Sequence, residues 1–421
     1  MEKMIIRGGA TLRGAINVSG AKNATLPMMG ATLLTEEPCV LRGVPNLMDV
    51  RTMGKILGAL GSRTAAENGA LRIVSEDMRP VVAPYELVST MRASVCVLGP
   101  LLARRHQAKV SLPGGCVIGS RPIDLHLKGL SALGAKITVE HGYVVARAKA
   151  LRGANIYLGG PFGSSVLATQ NVMMAATLAK GRTVIENAAC EPEVQNLAEM
   201  LTFMGAKISG AGTPRVVIEG VRELGGVECA VIPDRIEAGT FLVIAAATRS
   251  PVTITGVRLD HLSAVVDKLR DVGVEIHADG KRGIRVRAPR TFRPVDLIVL
   301  TYPGFPTDLQ AVFMALLALG DGVSVITERV FPDRFMHVAE LGRMGAKIRK
   351  EGSAAIVEGV RKLHGAPVMA SDLRASAALV VAGLVADGVT EVNRIYHLDR
   401  GYERIDEKLV RLGARIHREK V

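Results

Sequence analysis

Tryptophan is absent, and with six Tyr and eight Phe the aromatic share of the chain is 3%. Platforms that stack the bases of single-stranded nucleic acid need such rings, so their scarcity argues against that partner even at a net charge of +13. No CxxC pair occurs among the five cysteines (Cys39, Cys96, Cys116, Cys190 and Cys229). An odd, scattered set of thiols argues against a disulfide framework and against a structural zinc site; no metal is expected, and a thiol that matters here matters singly. No apolar stretch, Ala375 to Ala386 included, reaches the ~18–20 residues that span a bilayer. Nor does an apolar run follow the first charges of MEKMIIRGGATLRG, so no signal peptide is expected. What remains, 48% hydrophobic and 22% charged residues, is the composition of a globular protein, and a cytoplasmic monomer without membrane insertion is expected. The surplus of 53 basic over 40 acidic residues suits either an inconsequential basic surface or anionic small substrates.

What the chain does have is repetition. The pattern Leu-x-x-[Leu/Met/Val]-Gly followed by a short alternating segment recurs as LGALGSRT, LSALGAKI, LTFMGAKI, LRDVGVEI, LGRMGAKI and LVRLGARI. The glycines are Gly61, Gly134, Gly205, Gly273, Gly345 and Gly413. Each suits the left-handed position that stops a helix before a strand. A second family of helices, apolar nearly all round, includes AKNATLPMMGATLL, TMRASVCVLGPLLA, VLATQNVMMAATLA, RIEAGTFLVIAAAT, PTDLQAVFMALLAL and DLRASAALVVAGLVA. Helices of that kind are buried. The unit reads strand, buried helix, strand, amphipathic helix, strand, strand. Six units divide into two domains of three, residues 22–232 and residues 1–21 with 233–421. The sixth unit runs out of chain after ARIHRE, and the strand at Met4 to Arg7 is expected to complete it.

The buried helices begin with polar and charged residues: Lys22 and Asn23, Arg92, Ser165 with Thr169, Arg235, Asp308 and Arg374. A helix start offers free N–H groups and partial positive charge, which attract phosphate and carboxylate. One charge there is usually a solvated cap; recurrence at equivalent places in a repeat, facing one cleft, would make an anion trap. The glycine-rich segment SLPGGCVIGSRPIDLHLKG carries Cys116 near Arg121 and Lys128, where a thiolate is favoured. The other four cysteines lie in apolar strands, in a buried helix or before a surface helix, and read as inert. FPDRFMH sets Asp333 and Arg334 at the start of a surface helix, and HLDRGYERI sets Asp399 and Arg400 at the equivalent place one unit later. For Asp308 a helix cap is the default. His126, His337 and His397 have no metal-ligand spacing and read as structural.

Eight segments in order carry a resemblance: SGAKNA, TMRAS, PGGC with GSRPIDLH, PDRIEAGTF, FPTDLQ, DRFMH, ASDLRASA and IYHLDRGYERI. Along its whole length the chain resembles the enolpyruvyl transferases of the UDP-N-acetylglucosamine 1-carboxyvinyltransferase type. The resemblance implies two inside-out α/β barrel domains, each of three β-α-β-α-β-β repeats, with the active site in the cleft between them. It implies transfer of the enolpyruvyl group of phosphoenolpyruvate to the 3′-hydroxyl of UDP-N-acetylglucosamine by addition and elimination, the first committed step of peptidoglycan synthesis. No metal or organic cofactor is implied. By the same resemblance Cys116 is the general acid, Asp308 takes the hydroxyl proton, and Lys22 and Arg400 join them in catalysis. Phosphoenolpyruvate would be held by Lys22, Asn23, Arg121, Arg374 and Arg400. The UDP-sugar would be held by Arg92, Arg121, Pro122, Ile123, Asp124, Leu125, Ser164, Ser165, Val166, Asp308 and Val330. One departure stands out: where the family often has Lys-x-Ser-Val-Gly, this chain reads GGPFGSSVLAT, with Gly163 and Leu167 in place of the Lys and the Gly.

Two other readings compete. A 5-enolpyruvylshikimate 3-phosphate synthase would share the architecture but, by the resemblance, lack the PGGC segment. A clamp-like nucleic-acid binder would spread Lys and Arg over an open face rather than set them at buried-helix starts.

Overall fold

The computed structural model describes residues 2–112, 123–279 and 283–420. Among them the chain forms two compact units, residues 20–232 and residues 2–19 with 233–420. The passages between units lie side by side: the Ala21 N–H donates to the Ile232 carbonyl and the Asp234 N–H to the Ser19 carbonyl, each at 2.8 Å.

One sheet pattern accounts for both units. Val227–Ala230 pairs parallel with Cys39–Arg42, which pairs antiparallel with Ala70–Val74, which in turn pairs antiparallel with Arg63–Glu67. Five more four-stranded sheets among the described residues repeat that order. The parallel pair needs a crossover, and a buried helix supplies it. Where the chain passes from one unit to the other the first strand is exchanged. Gly14–Asn17 pairs with Val252–Thr255 across the helix Arg235–Ala247, while Val227–Ala230 serves the helix Lys22–Ala31. The expected completion of the sixth repeat is present: Glu2–Arg7 lies between Val389–Asn393 and Arg415–Lys420, antiparallel to both.

The two helix families separate as their patterns dictate. Every residue of Arg235–Ala247 is buried, and Asp234 caps that helix by accepting from the Ile236 and Glu237 N–H groups. Leu373–Val385 is nearly as enclosed and is capped in the same way by Asp372. The amphipathic helices stop where expected. Gly61, Gly134, Gly205, Gly273, Gly345 and Gly413 all have φ between +83° and +105°, a conformation that costs a side-chain-bearing residue energy. The segment TMRASVCVLGPLLA differs from the single helix its pattern suggests. It forms a 3-10 turn, Arg92–Val97, and only then the α-helix Leu98–Arg105. Pro100 lacks the N–H that would bond the Cys96 carbonyl and its ring crowds that oxygen, which suits it to a first turn.

Each unit has its own core. The core of residues 20–232 is built from aliphatic side chains and methionines, among them Met28, Met29, Met173 and Met174. The other core adds Phe241, Phe292, Phe305, Phe313, Phe335 and Tyr402.

Candidate active site

In the unit of residues 233–420, the helix Thr307–Leu317 follows Pro306, and Asp308 is its second residue. Capping was the default role for Asp308; the structure corrects it, because no side chain caps this helix. The Asp308 carboxylate instead lies between two guanidinium groups. Arg334 Nη1 donates to Oδ1 at 2.8 Å and Arg374 Nη2 donates to Oδ2 at 3.0 Å. Burial alone would push this carboxyl up, but the charges of Arg374 and Arg334 outweigh it and hold it well below the usual range. Arg374 is 1% exposed. Among the described residues its Nε and Nη1 have no hydrogen-bond partner, and its guanidinium lies 5.2 Å from the centre of the Tyr402 ring. Tyr402 is anchored in turn by a 2.8 Å hydrogen bond between its hydroxyl and that of Thr240.

Arg334 corrects a second expectation. FPDRFMH does not open a surface helix at Asp333; the helix is His337–Arg343, and Arg334 before it is 5% exposed. Its Nη1 also donates to Thr307 Oγ1 at 3.1 Å, and the guanidinium lies 5.9 Å from the Phe331 ring centre. Beside it Glu328 is completely buried. One carboxylate oxygen of Glu328 accepts from the Val330 and Phe331 N–H groups at 2.7 and 3.0 Å, and the other from the Thr307 hydroxyl at 2.8 Å. Burial raises the Glu328 carboxyl above its ordinary value, although these bonds favour the charged form. Val330 is half-buried against the core.

Arg400 ends the 3-10 turn Ile395–Arg400 and is half-buried. Its neighbour Asp399 is taken up structurally, accepting from Arg418 at 2.7 and 2.9 Å.

In the unit of residues 20–232, Lys22 is the first residue of the helix Lys22–Ala31, and its ammonium donates to Asp49 at 3.1 Å. Both side chains are nearly enclosed, at 11% and 6% exposure. Asn23 beside it is half-buried, as is Arg92. Ser165 caps the helix Val166–Ala176, accepting from the Ala168 N–H. Ser164 precedes it in a two-residue strand, and Ser164, Ser165 and Val166 are all half-buried. Asp124 opens the helix Asp124–Ala132 and is exposed, with Ile123 buried before it. Leu125 packs on the hairpin of residues 159–164: a Cβ at Gly160 would come within 3.3 Å of it. His126 is buried and its Nδ1 accepts from the Asn171 side-chain amide at 3.0 Å, and burial first, then Arg92, holds its pKa down to about 3. Cys116, Arg121 and Pro122 lie outside the described residues. The remaining thiols are poor nucleophiles. Burial pushes Cys39 up to about 11 and Cys96 and Cys229 up to about 12, and raises Cys190.

The structure therefore brings Asp308 to Arg374 in one unit, and the 164–166 segment to the helix that carries Asp124 and Leu125 in the other. Sequence reasoning missed Asp49, Thr307 and Glu328, and misplaced Arg334. No group of three or more His, Cys, Asp or Glu side chains among the described residues could hold a metal ion. None of the described helices is long and apolar enough to cross a membrane.

The profile of the EPSP synthase (3-phosphoshikimate 1-carboxyvinyltransferase) family matches residues 6–409. The UDP-N-acetylglucosamine 1-carboxyvinyltransferase of Methylacidiphilum infernorum is 55% identical over 99% of both chains. The enzyme of that name from an Anaeromyxobacter species is 57% identical over the full length of both. Among solved structures, the enolpyruvyl transferase NikO of Streptomyces tendae superposes with a TM-score of 0.90 at 25% identity, covering 100% of this chain and 99% of its own. An EPSP synthase of Acinetobacter baumannii superposes with a TM-score of 0.75 at 18% identity, over the full length of both. The chain belongs to the enolpyruvyl transferase family.

Proposed function

We propose that this chain transfers the enolpyruvyl group of phosphoenolpyruvate to the 3′-hydroxyl of UDP-N-acetylglucosamine, releasing phosphate, as the committed step of peptidoglycan synthesis in the cytoplasm. The observation that carries the reading is Arg374, a fully buried guanidinium with one nitrogen on Asp308 and two without a partner among the described residues. Buried donors are rarely left unused, and a guanidinium is matched by a carboxylate or phosphate. The identity of 55–57% with enzymes named for the UDP-sugar reaction supports the choice of acceptor. We read the six like-ordered sheets as two inside-out barrels of three repeats.

In this reading Cys116 delivers a proton to the methylene carbon of phosphoenolpyruvate while the sugar hydroxyl attacks the adjacent carbon. The tetrahedral ketal then loses a proton from the new methyl group and expels phosphate, restoring the double bond. Lys22, Asn23, Arg121, Arg374 and Arg400 hold the phosphate and carboxylate charges through the reaction. Arg92, Arg121 to Leu125, Ser164 to Val166 and Val330 hold the UDP-sugar. Asp308 accepts or orients the hydroxyl proton. Clamped between two guanidinium groups it is a weak base. An anion arriving at Arg374 offsets that positive charge and raises the Asp308 pKa toward a working value, so the base is readied by the substrate. One copy of the chain supplies every residue invoked.

The second reading, 5-enolpyruvylshikimate 3-phosphate synthesis, has the description of the family profile in its favour. Against it, the solved EPSP synthases are 18% and 19% identical, far below the relatives named for the UDP-sugar. Phosphate release from phosphoenolpyruvate, with the product weighed by mass spectrometry, decides between them. We expect an enolpyruvyl adduct of UDP-N-acetylglucosamine and none of shikimate 3-phosphate; the reverse would overturn the assignment.

A further inference from the structure

Glu328 is the most costly side chain near the Asp308 cluster that the proposed chemistry leaves unused. It is completely buried, and its three hydrogen-bond donors are uncharged: the Thr307 hydroxyl and the N–H groups of Val330 and Phe331. Removing a carboxylate from water without a directly bonded cation is expensive. What the expense secures is legible in the contacts of Arg334. Its guanidinium rests on three groups, namely the Thr307 hydroxyl oxygen at 3.1 Å, Asp308 at 2.8 Å and the Phe331 ring at 5.9 Å. Glu328 fixes two of those three: it accepts the hydrogen bond of the Thr307 hydroxyl, which turns the oxygen lone pairs toward Arg334, and it pins the Phe331 backbone. Arg334 in turn fixes one oxygen of Asp308, leaving the other to Arg374.

We propose that Glu328, acting through Thr307, is a positioning residue that seats Arg334 and thereby sets the orientation of Asp308. This rests on the enolpyruvyl transfer reading. Three features distinguish such a relay from mere packing. The hydroxyl of Thr307 is both donor and acceptor, so it joins Glu328 to Arg334 in one chain of bonds. It ends on the proposed base. And it is separable: Thr307→Val cuts the relay while keeping the shape of the residue and leaving the bonds from Glu328 to the Val330 and Phe331 backbone intact, whereas Thr307→Ser keeps the hydroxyl.

The test is steady-state phosphate release by the full chain, with the concentration of folded protein fixed by its unfolding transition. Thr307→Val should lower kcat on the order of 10²-fold through misplacement of the base, with KM for UDP-N-acetylglucosamine unchanged. Thr307→Ser should keep most of the wild-type kcat. Glu328→Gln should lower kcat like Thr307→Val and also raise the UDP-sugar KM, because the Val330 backbone loses its charged acceptor. Should Glu328→Gln fail to fold, the Thr307 pair still decides. Wild-type kcat in Thr307→Val, or equal losses in Val and Ser, would overturn the relay. A wild-type chain that released no phosphate with the UDP-sugar would instead overturn the function on which the relay rests.

Discussion

The two units share one strand order and differ in what fills them and what charge they enclose. The core of residues 20–232 has no Phe or Tyr among its described buried side chains and leans on methionine, whose unbranched thioether adapts to irregular gaps. The core of residues 233–420 is rich in Phe, and one of its rings, Tyr402, faces a buried guanidinium. The first unit encloses a balanced pair, Lys22 with Asp49. The second sets the Asp308 carboxylate between two guanidinium groups, with the buried Glu328 beside one of them. The repeat therefore fixes topology, while function depends on which side chain each repeat places at the start of its buried helix.

The largest expected effect breaks the second unit's cluster. Asp308→Asn should lower phosphate release about 10²–10⁴-fold, the range for losing a general base. It should also destabilise the protein by roughly 3–5 kcal/mol, since two buried guanidinium groups lose their carboxylate. A helix cap would have predicted neither loss, because Asn caps nearly as well as Asp. Thermal unfolding and phosphate assays on the same preparation check both.

Next comes Lys22→Met, which should lower turnover by about 10²–10³-fold through lost charge stabilisation. Its cost in stability should be smaller than that of Asp308→Asn, because one pair is broken rather than a three-membered cluster. Equal destabilisation would erase the contrast drawn between the units.

A third prediction bears on the thiols, four of which lie among the described residues with raised pKa values. An epoxide of the fosfomycin type should alkylate Cys116 first, and faster with UDP-sugar bound. Peptide mass mapping that finds label on Cys190 before Cys116 would remove the proposed acid.

The smallest effect concerns acid pH. Each unit buries a neutral imidazole: His126, held down to about 3, and His337, held by burial down to about 4. Their contribution to stability is complete above the unfolded pKa near 6.5. Below it the unfolded chain takes up protons that the native state refuses, so stability falls until the folded values are reached. Asp308, also depressed, contributes nothing to this slope, because its share is lost only below the ordinary carboxyl range near 3.9. The two imidazoles therefore pull the melting temperature down between pH 7 and 5, against the raised buried carboxyls Glu237 and Glu328, and His126→Gln and His337→Gln should each weaken that pull. An unchanged slope in both variants would mean that neither imidazole is neutral in the native protein.

Much of this was legible in the sequence. The six glycines announced the left-handed helix stops, and the truncated sixth repeat announced the strand that Glu2–Arg7 supplies. Helix starts announced Lys22, Asp308 and Arg374, because periodicity fixes which residue comes first. What was hidden depends on contact across the chain. Asp49 lies on an amphipathic helix and its sequence neighbourhood looks solvent-facing; only the approach of Lys22 gives it meaning. Arg334 sits in a charged stretch that reads as surface until the Thr307 helix packs on it. Glu328 closes a β-strand whose alternation leaves its orientation open. Pro100 was visible, but its consequence, a 3-10 turn before a shorter helix, needed the neighbouring packing.

The central claim is the proposed one, that Lys22 and Arg374 both bind phosphoenolpyruvate, and calorimetric binding of phosphoenolpyruvate to the UDP-N-acetylglucosamine complex tests it most directly. We predict that Lys22→Met and Arg374→Met, one in each unit, both abolish measurable phosphoenolpyruvate binding while UDP-sugar binding persists. Wild-type affinity for phosphoenolpyruvate in either variant would contradict the account.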